Sequence, residues 1–164
     1  MSYEHARICK VGWTPKTSRL RLEWETPSGG EEWDEATISL KCTPHPDLLA
    51  ALQALAPHVV EICEMEDLQE PAIEVRSVTY TWAHDVMGAV ITALRHLQNS
   101  PAPLVLNTPH KPSDWYGDQE DGDPAQLLPE HTVRALRQLQ KEAIEFLEGK
   151  RAPEPEQNDD REAA

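Results

Sequence analysis

The residues able to do metal or nucleophilic chemistry are His5, His45, His58, His84, His96, His110 and His131, with Cys9, Cys42 and Cys63. A metal site needs three or four converging ligands, often seeded by a local pair such as HxxxH or HExxH. Neither spacing occurs. Cys42 and His45, three apart in a strand-to-helix loop, are the most closely spaced Cys/His pair, and no partner pair completes a zinc site. The run Asp118-Gln119-Glu120-Asp121-Gly122-Asp123 loosely follows a calcium loop, but its glycine falls one position early and no helix precedes it. Nucleophilic catalysis would need Ser or Cys framed by His and Asp, and no GxSxG elbow is present. Gly29-Gly30 and Gly117 do not make a phosphate loop. These residues therefore assign no catalytic group, no metal site and no cofactor. A pocket holding two or more of His84, Asp85, His96, His110 and Cys42 would be the mark of an enzyme.

A second set of residues suits contact rather than catalysis. Trp115 and Tyr116 stand in a polar loop, where aromatics serve as interface anchors or as a lid folded over a sheet edge. Asn107, Thr108 and His110 precede them, around Pro109. Arg134, Arg137 and Lys141 recur at helical spacing as a small basic patch. These eight residues are the expected interaction surface.

The elements that must position them follow from periodicity. Residues 6–13 read as a strand with Cys9, Val11 and Trp13 on one face. In 18–26, Leu20, Leu22 and Trp24 alternate with Arg19, Arg21, Glu23 and Glu25, one face buried and one wet. Pro27-Ser28-Gly29-Gly30 is a turn, and 31–41 returns as a third strand. Leu48, Leu52, Leu55, Val59 and Ile62 mark a helix over 46–66, with a kink or break near 54–57 because Pro57 removes a backbone donor. Residues 72–82 form a fourth strand. Val78, Tyr80 and Trp82 share a face opposite Ile73 and Val75 unless a bulge switches them. Residues 86–97 satisfy a helical period, but Gly88 and Val90-Ile91-Thr92 favour a strand, joined through Ala83-His84-Asp85 as a hairpin. A short strand follows at 104–106, then a polar loop over 107–128 and a helix at 129–148 stopped by Gly149. The sequence thus predicts an α+β domain over 1–149, a mainly antiparallel sheet of about six strands in the order β-β-β-α-β-β-β-α with two packed helices. An acidic, Pro-containing tail over 150–164 is expected to be disordered.

The 164 residues carry 29 Asp and Glu against 15 Lys and Arg, a formal net charge of −14. Such a balance opposes direct nucleic-acid binding, which rests on neutralising phosphates, and opposes docking on anionic membranes. It is compatible with a basic protein partner, or with imitation of nucleic acid through a row formed by Glu23, Glu25, Glu31, Glu32, Asp34 and Glu35, while the basic patch of Arg134, Arg137 and Lys141 suits homo-oligomers or a partner helix. Three unpaired cysteines fit a reducing cytosol. Met1-Ser2-Tyr3-Glu4-His5 has no basic segment leading into an apolar run, so a cytoplasmic location is expected.

Three segments carry a family resemblance: IEVRSVTYTW, then MGAVITALRHLQNSPAPLVLNTPHKP at Met87–Pro112, and a helix ending EFLEGKRA. Over Ile73–Ala152 the chain resembles small early-region proteins of tailed phages and prophages, often encoded near recombination and replication genes. The resemblance implies a strand for the GAVIT segment and the cytoplasm of an infected or lysogenic bacterial host. It carries over no catalytic residue. Relatives often end in a short apolar tail, whereas Pro153-Glu154-Pro155-Glu156-Gln157 is polar. The expected function is that of a non-enzymatic phage accessory protein, acting through protein contacts in phage DNA metabolism or host takeover. The alternatives are an acidic nucleic-acid mimic that inhibits a host DNA-binding or defence protein, and a small metal-dependent enzyme.

Overall fold

The computed structural model describes residues 3–66, 72–116 and 122–153. Seven strands form one antiparallel sheet: β1 (Arg7–Thr14), β2 (Arg19–Pro27), β3 (Trp33–Lys41), β4 (Ile73–Ala83), β5 (Val86–Arg95), β6 (Leu104–Asn107) and β7 (Lys111–Pro112). Their spatial order is β3-β2-β1-β4-β5-β6, with β7 also on β5. The helices α1 (Pro46–Gln53), α2 (Ala56–Ile62) and α3 (Glu130–Leu147) cover one face. The α+β class and the strand count follow the sequence expectation. No described helix is long and apolar enough to cross a membrane.

The helix-or-strand ambiguity at 86–97 resolves as a strand. Ala83 pairs with Val86 across a two-residue turn in which His84 and Asp85 have φ of 49° and 64°. Positive φ at both central residues is what a tight hairpin needs to match strand twist. The first long helix is broken as Pro57 requires. His45 caps α1, its Nδ1 accepting from the Asp47 amide at 3.0 Å, so the histidine of the Cys42–His45 pair is used for capping.

Two bulges decide which side chains enter the core. In β1 the register shifts between Ile8 and Lys10, so Ile8 and Val11 are both buried and Cys9 is displaced from the core face. The strict alternation expected for Cys9, Val11 and Trp13 fails for that reason. In β4 the shift lies between Val75 and Ser77, which puts Val75 and Val78 on the covered face and leaves Arg76 at the bulge. Gln53, at the end of α1, satisfies the Val75 backbone there. Its Oε1 accepts from the Val75 amide at 3.1 Å and its Nε2 donates to the Val75 carbonyl at 2.9 Å. Burial raises the Cys9 thiol to about 11, with Glu25, Glu35 and Glu23 adding to the shift, and also raises Cys42 and Cys63.

The segment after β6 is stitched to the domain rather than free. The Thr108 amide donates to the Ile91 carbonyl at 3.0 Å, and Thr108 Oγ1 accepts from the Ile91 amide at 2.9 Å. Thr108 thereby replaces a strand residue between β6 and β7, next to Pro109, which has no N–H to give. The Ser113 amide then bonds the Met87 carbonyl at 2.7 Å, and the Leu128 amide bonds Pro112 at 2.9 Å. Residues 117–121, with most of the calcium-like run, lie outside the described residues; Asp123 caps a short 3-10 turn at Pro124–Gln126.

The C-terminal end is anchored. Tyr80 donates to the Leu136 carbonyl at 2.8 Å, tying β4 to α3. Gly149, with φ of 115°, ends α3, and the Lys150 amide reaches the Glu145 carbonyl at 2.9 Å. Lys150 Nζ contacts Asp47 at 3.0 Å, Glu142 at 3.1 Å and Glu145 at 3.1 Å, and the Arg151 guanidinium lies 3.6 Å from the Phe146 ring centre. The described residues continue past Gly149 to Pro153; residues 154–164 of the expected tail lie outside them. Glu142 of α3 is buried and partnered by Lys150.

These contacts carry a pH dependence. Hydrogen bonds donated to Asp47, then to Glu142 and Glu145, hold the Lys150 ammonium above its ordinary 10.5, and Lys150 holds Asp47 below its ordinary 3.8. Stabilisation is fully present between those values. It is lost as pH rises above 10.5 through the folded Lys150 value, and as pH falls below 3.8 through the folded Asp47 value. Lys150→Met should therefore lower Tm at pH 7, because it strands the buried Glu142 carboxylate. The gap to wild type should shrink in thermal scans taken below pH 3.8. A gap that stays constant across that range would mean that the ion pairs contribute nothing.

Candidate functional site

One face of the sheet is left uncovered by the helices, and its charges are sorted by position. The β2–β3 register places Arg19 opposite Lys41, Arg21 opposite Ser39, Glu23 opposite Thr37 and Glu25 opposite Glu35. Carboxylates therefore gather at the hairpin end of the face, near Cys9, and cations at the other end. They do not form one acidic row along it.

At the basic end lies a groove of about 530 Å³ lined by Lys10, Arg19, Arg21 and Arg76, together with Gly12, Trp13, Thr14, Ser39, Ser77 and Leu94. No carboxylate lines it. The two nearest interactions of opposite sign are weak: Arg21 Nε lies 3.3 Å from Glu23, and Arg76 Nη2 lies 3.7 Å from Glu74, beyond hydrogen-bond length. Arg19 donates to Ser39 Oγ at 3.2 Å. Arg76 Nε is the one buried side-chain polar atom without a hydrogen-bond partner among the described residues. A buried donor left unmade is costly, so Arg76 is held at this place against an energetic penalty. The β4 bulge turns Arg76 into this position. Gly12 leaves the floor open: a Cβ there would meet Ser77 Cβ at 3.7 Å, Arg21 Cβ at 3.9 Å and the Arg21 carbonyl oxygen at 4.0 Å, all ordinary contacts.

The eight residues of the expected interaction surface fall in four places. Thr108 is buried and committed to Ile91. Asn107 accepts from Thr92 Oγ1 at 2.7 Å, and His110 Nε2 lies 2.8 Å from Thr81 Oγ1, over Gly88. Trp115 and Tyr116 are half-buried: Trp115 lies against Gly122 and Tyr116 against His84, the last two with ring centres 6.0 Å apart. Arg137 and Lys141 are exposed on α3 beside Glu145 and Glu148, in a shallow groove of mixed charge, and Arg134 is exposed on the same helix.

The residues named as marks of an enzyme are held by separate partners. His96 contacts Glu74 at 2.9 Å, Asp85 pairs with Arg7, and His110 meets Thr81. Arg7 is itself placed over the Trp33 ring at 3.8 Å. A different set does converge: His58 and Glu61 on α2 meet His131 on α3. The i, i+3 spacing of His58 and Glu61 was visible in the sequence, but the third residue comes from another helix. Likewise, Arg19 and Arg21 are legible as the wet side of a strand, while their approach to Lys10 and Arg76 depends on pairing between distant strands.

Set against known proteins, the chain matches no family model, no curated protein and no solved structure.

Proposed function

We propose that the protein is a non-enzymatic accessory protein that holds a protein partner by an acidic segment laid in the basic groove. The observation that carries this reading is a groove lined by four cations, Lys10, Arg19, Arg21 and Arg76, and by no carboxylate. Volumes of roughly 300–1,000 Å³ suit a few side chains of a ligand. A continuous polyphosphate fits poorly, because a track along this face would run from the arginines onto Glu23, Glu25 and Glu35. A short acidic run flanked by neutral or basic residues complements both ends of the face. The resemblance to tailed-phage early proteins supports a role in phage DNA metabolism or host takeover, in the cytoplasm of the bacterial host.

The test is fluorescence anisotropy with a labelled peptide carrying three carboxylates, its amide-only counterpart, and a single-stranded oligonucleotide. The acidic peptide should bind best, and its affinity should fall with added salt. Arg76→Met should weaken it about 10–100-fold, the value of one charge-assisted hydrogen bond. Gly12→Val should also weaken it by filling the floor. Equal binding by wild type and both variants, or tighter binding of the oligonucleotide, would overturn the reading.

A further inference from the structure

We propose that His58, Glu61 and His131 form a binding site for one divalent transition-metal ion of the zinc class. One ligand atom from each, two imidazole nitrogens and a carboxylate oxygen, lie within 4.8 Å of one another. A tetrahedral ion with bonds of about 2.0–2.2 Å brings its ligand atoms to roughly 3.4 Å apart. Closing that gap needs only side-chain rotation, and His131 and Glu61 are exposed enough to make it. His131 Nε2 already stands 2.7 Å from Glu61 Oε2, and the two imidazole rings face each other at 5.2 Å.

The supports behind the ligands are those a metal site uses. His58 Nδ1 lies 2.7 Å from Thr132 Oγ1, and Thr132 is fully buried. That contact fixes the ring and leaves Nε2 as its ligand atom, the usual outer-shell arrangement for a ligating histidine. Two imidazoles and one carboxylate select zinc-like ions over magnesium or calcium, which prefer all-oxygen shells. Three protein ligands leave a fourth position for water, and a cavity of about 520 Å³ that also borders Lys111 and Leu127 shares Glu61 with the site. Without an ion the same groups form only a His131–Glu61 hydrogen bond and a ring contact between His58 and His131. The two cases therefore differ in a measurable way.

The experiment is isothermal titration of the chelator-treated, reduced full chain with zinc chloride, followed by histidine-selective NMR of the imidazole nitrogens. One equivalent should bind, calcium and magnesium should not compete, and His58 and His131 should shift together. His131→Ala and Glu61→Gln, both at accessible positions, should each weaken zinc at least 10-fold, while Glu64→Gln should not. Circular dichroism checks that the variants fold, and the wild-type NMR reads the ligands without any substitution. Zinc that does not bind at one equivalent, that shifts other histidines instead, or that binds His131→Ala as tightly as wild type through the cysteines would overturn the proposal.

Discussion

Replacing Phe146 with alanine is expected to lower the free energy of unfolding by about 3–5 kcal/mol, the cost of removing a buried aromatic side chain and leaving a cavity. Phe146 is 1% exposed and belongs to the single core formed by the sheet and α3. Its ring also seats the Arg151 guanidinium, a contact worth roughly 0.5–1 kcal/mol at such a site. The substitution thus loosens the last turn of α3 and the strand-facing core together. Urea denaturation should show a lower midpoint with an unchanged slope. A loss below about 1.5 kcal/mol would mean that the C-terminal turn is not part of the cooperative unit, since buried Phe→Ala changes are rarely that mild.

The second large effect is expected at Gly88. A Cβ built there would stand 2.5 Å from His110 Nε2 and 2.6 Å from Thr81 Oγ1, nearer than any real contact allows. Gly88→Ala must therefore expel the His110 ring or deform β5, at about 1–3 kcal/mol for overpacking. Removing the ring should relieve much of that penalty. In a double-mutant cycle Gly88→Ala should cost less in a His110→Ala background than alone, with a coupling of about 1 kcal/mol for side chains in contact. Additive effects would show that the ring does not hold the hairpin.

The two sites differ in how far they could be read from the residues. The strand at Arg19–Pro27 announces itself by alternation, and α3 by its apolar stripe, because both are regular and each buries one face. The bulges at Cys9 and Arg76 do not, since an extra residue is set by what the neighbouring strand and Gln53 require. Arg76 matters to the groove through that irregularity. Gly88 was read as a sign of a strand, which is correct, but its reason is the histidine that arrives over it from residue 110. His58 and Glu61 share a helix face visibly; only the docking of α3 against α2 supplies His131. Local patterns gave the elements, and long-range packing decided which side chains meet.

The interrupted outer rim formed by β6, Thr108 and β7 has one more consequence. Leu104 and Val105 are exposed there, a composition that invites a further strand from another molecule. Pro109 and Pro112 offer no amide hydrogen, and the Thr108 amide is already given to Ile91. An incoming strand could pair with Leu104–Asn107 for one short stretch and would find no ladder beyond it. This border of the sheet is protected against fibril-like growth by its backbone, which leaves its apolar side chains free to stay in solvent.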